Sequence, residues 1–354
     1  MEGAAAVAAD PAPSPAAADA SARATRDGLR DGFLPAGNPA PVLRAAVAAA
    51  RAGEAATLAW VLETEGSTYA GAGAMVLFGP GDAHAGWLSG GCLEPELARR
   101  AAEADARAQI EWIEIDTRDD AELLSGSALG CRGRLRIALL PLRLLPGIDA
   151  PLQAWLDGGH ALLRRLDADG RVELHAGPAS GRWRAAAAPL PWAAARCVWT
   201  GPLARPPEAL LLGAGPETAR LLGLLRDLGW RATLVERRPR WREAGAAADA
   251  RHDAHADALR SRAGHDAALV MHHDFERDRD ALEGLAATDI PFIGLLGPPR
   301  RRDDLLRLLP RTLRDALRPR LRAPVGLDLG GQGPEAIALS IAAQLQAWRA
   351  RADA

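Results

Sequence analysis

The stretch Ala209-Leu210-Leu211-Leu212-Gly213-Ala214-Gly215-Pro216-Glu217-Thr218 decides the fold of the C-terminal half. Its apolar run reads as a buried strand, and the Gly-Ala-Gly step turns the chain into a helix over about 216–228. Gly229 caps that helix, residues 232–236 read as the next strand, and Glu236 closes it 23 positions after Gly213. In a dinucleotide-binding unit the first glycine permits the turn and the second lets the backbone approach a pyrophosphate. The acid at the end of the second strand accepts from ribose hydroxyls. Gly213, Gly215 and Glu236 are therefore candidate cofactor-binding residues, with NAD(P) as the cofactor they would take. Two neighbours weigh against tight binding. Thr218 stands at the third glycine position, where a β-branched residue should push helix and strand apart, and Glu217 adds negative charge where a pyrophosphate would lie.

Downstream, strands over 267–271 and 291–296, a helix over 276–287 and a last helix over 334–349 continue the alternation. Residues 207–354 should thus form a Rossmann-like, doubly wound parallel sheet. Upstream, a helix over 41–51 precedes strands over 56–63 and 74–78 and a short strand over 84–88. A helix over 95–108 and strands over 110–116 and 134–141 follow, giving a second α/β unit over 37–148. Residues 149–206 mix a short helix over 151–157 with strand-like pieces over 161–165 and 172–175, and read as a connecting segment or small subdomain. Residues 1–36, rich in Ala, Pro and Asp, cannot bury enough surface to offset their ordering entropy and read as a disordered tail.

Composition excludes several classes. A net charge of -2 gives no electrostatic reason for a nucleic acid or anionic membrane partner. No apolar run approaches the roughly 20 residues needed to span a bilayer. Met1-Glu2-Gly3-Ala4 begins no basic, Leu-rich leader, and three cysteines fit a reducing compartment, so a cytoplasmic protein is expected. All 43 strong bases are Arg, which removes Schiff-base and P-loop lysine chemistry.

Two of the three cysteines directly follow glycine, in Ser89-Gly90-Gly91-Cys92-Leu93-Glu94 and Leu129-Gly130-Cys131-Arg132-Gly133. Glycines there let the backbone approach a ligand, and a thiolate is a soft donor for metal or sulfur chemistry. Cys92 precedes a helix whose N-terminus favours both an anion and the thiolate form, and Arg132 would stabilise a thiolate at Cys131 or bind phosphate. Cys92 and Cys131 are also the candidate metal ligands, acting on a metal within a bound cofactor. Gly66, Ser67 and Thr68 form a strand-ending turn that offers hydroxyl and amide donors, and Glu94 would meet an amine edge or cap its helix. His272, His273 and Asp274 follow a strand and would bind a metal, act as acid and base, or simply bond to backbone. Cys197, with no glycine or acid beside it, reads as structural, and His252 and His255 carry no assigned role.

The ordered set Glu63-x-x-Gly66-Ser67-Thr68, Ser89 to Glu94 and Gly130-Cys131-x-Gly133 resembles the N-terminal domain of the XdhC/CoxI family. Gly213-Ala214-Gly215, Met271-His272-His273-Asp274, the segment from Phe292 to Gly297 and the segment from Ala323 to Asp328 resemble its Rossmann domain. Pro334-Glu335-x-Ile337-Ala338 resembles its last helix. The family usually has Cys-Gly-Gly where this chain has Cys131-Arg132-Gly133, and more often Gly at the place of Thr218. The resemblance implies a chaperone without turnover of its own, which binds the molybdenum cofactor (molybdopterin) and protects it while a cysteine desulfurase supplies its sulfido ligand. Delivery would be to a xanthine dehydrogenase-type molybdoenzyme, and a homodimer is implied. Cys92, Cys131, Ser89, Gly90, Gly91, Glu94, Gly66, Ser67 and Arg132 are then the cofactor residues of the N-terminal half. The competing expectation is an NAD(P)-dependent oxidoreductase with His272 or His273 as acid/base.

Overall fold

The computed structural model describes residues 37–352 apart from 82, 118–131, 194–195, 242, 256 and 259–263. The 1–36 tail and Cys131 lie outside the described residues.

Strands β1 (Thr57–Gly66), β2 (Met75–Phe78), β3 (His84–Ala85), β4 (Glu111–Asp116) and β5 (Gly133–Pro141) form a five-stranded sheet in the order β3-β2-β1-β5-β4. Every pairing in it is antiparallel. Strand alternation explains how both faces are covered. Leu58, Trp60 and Leu62 of β1 pack with Val42, Leu43, Ala46 and Val47 of helix α1 (Ala40–Ala52). Ala59 and Val61 point the other way, toward Leu97, Ala101 and Ala104 of helix α2 (Glu94–Arg107). With two buried faces, β1 reads as a continuous apolar run rather than an alternating one.

Residues 149–203 form helix α3 (Asp149–Leu156) and strands β6 (Leu162–Asp167), β7 (Arg171–Ala176), β8 (Ala179–Arg184) and β9 (Val198–Leu203). These strands make an antiparallel sheet in the order β8-β7-β6-β9, whose apolar residues share one core with α1 and β1. Polar contacts tie the two sheets. Trp199 Nε1 donates to Glu63 Oε1 at 2.7 Å, and Arg164 Nη1 donates to Gly73 O at 3.0 Å. The Arg164 guanidinium stacks on Trp60, and burial pulls its pKa down to about 10.

Strands β10 (Glu208–Leu212), β11 (Arg231–Val235), β12 (Ala250–His252), β13 (Ala267–Val270), β14 (Phe292–Leu295) and β15 (Leu321–Arg322) are all parallel, in the order β12-β11-β10-β13-β14-β15. With β10 counted as the first strand this is the Rossmann order, whose switch point falls between β10 and β13. Helices α4 (Thr218–Asp227) and α8 (Pro334–Ala352) cover one face. Helices α5 (Phe275–Ala286), α6 (Pro299–Leu308) and α7 (Arg311–Leu317) cover the other. The two halves meet where Asn38 Nδ2 donates to the carbonyls of Arg226 and Asp227, both at 3.1 Å, and Arg231 Nη1 to Leu156 O at 2.6 Å. No helix among the described residues is long and apolar enough to cross a membrane.

Candidate functional site

The Ser89–Glu94 loop is built by its own carboxylate. Glu94 Oε1 accepts from the backbone N–H groups of Leu88 and Ser89, each at 2.9 Å, and Glu94 Oε2 accepts from the Ser89 hydroxyl. Ser89 Oγ in turn accepts from the N–H groups of Gly91 and Leu93, both at 3.1 Å. Ser89 and Glu94 are each only 4% exposed. Burial alone would raise the Glu94 pKa, but these hydrogen bonds outweigh it and hold the carboxyl below its ordinary value. Glu94 and Ser89 thus form a latch that fixes the loop. Gly91 takes φ +104°, a conformation an L side chain rarely adopts. Cys92 is exposed, and among the described residues neither its N–H nor that of Gly90 is bonded.

The β1–β5 pairing brings Gly66, Ser67 and Arg132 together. There β1 finishes and β5 begins, and Gly66 pairs with Gly133. Ser67 N donates to Arg132 O at 3.0 Å, and a Cβ on Gly66 would lie 2.6 Å from that oxygen, so this turn needs glycine. Gly66, Ser67 and Arg132 are therefore in contact, while Cys131 lies just outside the described residues. Two exposed aromatics follow strand ends, Tyr69 at 64% after β1 and Trp87 at 55% after β3, and the sequence motifs do not include them. The Trp87 ring comes within 4.0 Å of the place a Gly91 Cβ would occupy and meets His84 edge-on. The signal that could have found them is an aromatic directly after a strand end, in a chain with few aromatics. Among the described residues no group of three or more His, Cys, Asp or Glu side chains could hold a metal ion.

The second centre is the switch point. Gly213 has φ +97°, and a Cβ there would collide with the backbone and ring of His272, so this glycine is required by the approach of β10 to β13. Thr218 does not push helix from strand. It is fully buried, and its Oγ1 accepts the Gly215 N–H at 2.9 Å. Glu236 is committed internally as well. Its Oε2 accepts the Ala214 N–H at 3.0 Å, and its carboxylate pairs with the Arg238 guanidinium at 2.5 Å. Burial would raise the Glu236 pKa, but Arg238 and the Ala214 N–H hold it below its ordinary value. Glu217 is buried over Gly215, where a Cβ would lie 2.6 Å from its Oε1, and that oxygen has no hydrogen-bond partner. His273, at φ +57°, places its Nε2 3.6 Å from the same oxygen.

Beside the turn, His255 Nε2 and His272 Nε2 face each other at 2.9 Å. Burial, together with the neighbouring His255, pulls the His272 pKa down to about 4, and burial lowers that of His255. The backbone N–H of His272 donates to Asp278 Oδ1 at 3.1 Å, and Asp278 Oδ2 receives Arg301 Nη2 at 2.6 Å. Asp274 caps α5 by accepting from Arg277 N at 3.1 Å. His255, which its polar sequence context leaves without a role, thus partners His272. Its sequence neighbours do not show this because the contact joins the ends of two strands.

An exposed thiol on a latched glycine loop, carried by an α/β sheet unit and joined to a doubly wound parallel sheet, defines a two-part α/β protein. Models of known families match both parts. The XdhC and CoxI family covers residues 49–114 and the XdhC Rossmann domain covers residues 210–345. The chain belongs to the XdhC and CoxI family. It is 28% identical over 322 residues to a Bacillus subtilis (strain 168) protein described as a probable xanthine dehydrogenase subunit, spanning 84% of this chain and 94% of that protein. A crystal structure described as a xanthine dehydrogenase from Bacillus halodurans superposes with a TM-score of 0.71 at 25% identity, covering 88% of this chain and 96% of that one.

Proposed function

We propose that this protein serves the maturation of a xanthine dehydrogenase-type molybdoenzyme, holding the molybdenum cofactor while a cysteine desulfurase supplies its terminal sulfur. The observation that carries the reading is the exposed Cys92 on a loop held rigid by the buried Ser89–Glu94 latch, in a chain of the XdhC and CoxI family. The relatives' description as xanthine dehydrogenase components supports the choice of partner.

The residues present fit such a group. Cys92 offers a soft donor, and the unbonded N–H groups of Gly90 and Cys92 suit an anion at the start of α2. Trp87 and Tyr69 offer faces for a planar ring, and Arg132 lies beside the Gly66–Ser67 turn. The cofactor would supply a thiol-seeking molybdenum centre. The chain's part is to orient it through Cys92 and to shield it. Glu94, already bonded three ways, positions the loop rather than touching the ligand.

The test is equilibrium binding of molybdenum cofactor, released from a donor enzyme, to the wild-type protein and to Cys92→Ala, with NADH and NADPH titrated in parallel. Stoichiometric uptake by the wild type is expected, with affinity weakened about tenfold or more in the variant, about 1.4 kcal/mol. Because Cys92 is exposed, its melting temperature should not move. No uptake, or equal affinity in a folded variant, overturns the assignment.

A further inference from the structure

The glycine turn of the Rossmann unit has used up its anion-binding donors. Gly213 N–H donates to Val235 O at 2.9 Å, Ala214 N–H to Glu236, Gly215 N–H to Thr218 Oγ1, and Thr218 N–H to Gly215 O at 3.1 Å. Pro216 has no N–H, so among the described residues only Glu217 N–H of this turn is left unengaged. The Glu217 carboxylate, 2% exposed, lies over Gly215, where a pyrophosphate would have to approach. A dinucleotide's two negative charges would meet a buried carboxylate, and the N–H groups of Gly213, Ala214 and Gly215 are already bonded.

The adjoining crevice is open. At the carboxyl ends of β11, β12 and β13 lies a cavity of about 240 Å3 lined by Arg237, Asp253, His255, His272, Arg277 and Asp280, together with Glu236, whose carboxylate is already paired with Arg238. It is smaller than the roughly 300–1,000 Å3 of a typical ligand pocket, so it suits one ring system and not a dinucleotide. Arg237 and Arg277 form no ion pair among the described residues, which leaves two guanidiniums for a phosphate. Asp253 and Asp280 can accept from a ring amino group. The paired imidazoles of His255 and His272 add a polar edge that stays neutral near pH 7.

We propose that this crevice binds a single phosphorylated, amino-bearing heterocycle, its one phosphate on Arg237 and Arg277, with nothing bound at the glycine turn. Two sources share that chemistry, a 5′-mononucleotide and a phosphorylated pterin. The inference goes beyond the maturation reading, since it concerns the other half of the chain and stands whether or not Cys92 holds a cofactor.

The experiment is calorimetric titration of the full chain with AMP, GMP, CMP, 6-hydroxymethylpterin phosphate and NADH. At least one of the single-phosphate probes should saturate at one per chain with Kd below about 100 μM, and NADH should bind no more tightly than AMP. Arg237→Ala/Arg277→Ala should weaken the best probe about tenfold or more. Preference for a nucleotide or for the pterin identifies the source. Molybdenum cofactor uptake by the double variant is intact in the first case and weakened in the second. NADH binding more than about tenfold tighter than AMP, no saturation by any single-phosphate probe, or undiminished binding in the double variant overturns the proposal.

Discussion

Replacing Glu94 separates a latch from a ligand contact. In Glu94→Ala the buried N–H groups of Leu88 and Ser89 lose their shared acceptor, and Leu88 is fully buried, so water cannot substitute. Each orphaned donor costs roughly 1–3 kcal/mol, which sets the loss at about 4 kcal/mol. Glu94→Gln keeps an oxygen for both N–H groups but sets an NH2 against Ser89 Oγ, whose hydroxyl then loses its acceptor and whose lone pairs already receive the Gly91 and Leu93 N–H groups, a cost of about 2 kcal/mol. Urea unfolding followed by tryptophan fluorescence measures both, and the rate of Cys92 with a thiol reagent reports the loop. The alanine variant should be strongly destabilised with altered Cys92 reactivity, and the glutamine variant, which keeps an acceptor for both buried N–H groups, should be destabilised by about half as much. Stability of Glu94→Ala within about 0.5 kcal/mol of wild type would falsify the latch. So would a Glu94→Gln protein of native stability that no longer takes up cofactor, since the carboxylate would then touch the ligand itself. Because the Glu94 pKa is held below its ordinary 4.5, its stabilisation is present above that value and is lost as pH falls through the folded-state pKa.

Two further outcomes are expected. Gly213→Ala forces φ +97° on an alanine and drives a Cβ into His272, so it should destabilise the C-terminal half by about 2 kcal/mol or more, read by denaturant midpoint. A native midpoint would mean that β10 and β13 are not held this closely. His272 is held neutral, with its pKa lowered from 6.5 to about 4, so its contribution is full above pH 6.5 and declines as pH falls toward 4. His272→Asn should flatten that part of the stability–pH curve, and an unchanged slope would show that the imidazole is not desolvated.

The residues between Leu210 and Glu236 sufficed for the parallel sheet, because apolar run, glycine turn and periodic helix are local signals that tertiary packing does not override. Likewise the glycines before Cys92 marked its loop, since few other uses explain glycines at both preceding positions. Other features rest on contacts between residues far apart in the chain. The alternating strands and helices of 37–148 left their pairing open, and the antiparallel order came from which edges met. Strands β8 and β9, carrying Gly181, Gly201 and Pro202, gave weak local signals and are held by packing onto a core shared with β1. Thr218 and Glu236 looked like an obstacle and a ribose acceptor. In three dimensions their oxygens face N–H groups of the turn, and that geometry decides whether an anion site is open. His255 and His272, 17 positions apart, meet only because parallel strands deliver both to one edge. Sequence alone determined the parallel sheet of the C-terminal half and the glycine loop that carries Cys92. Tertiary structure decided which polar groups remain free to meet a ligand, because hydrogen bonds are satisfied across space and not along the chain.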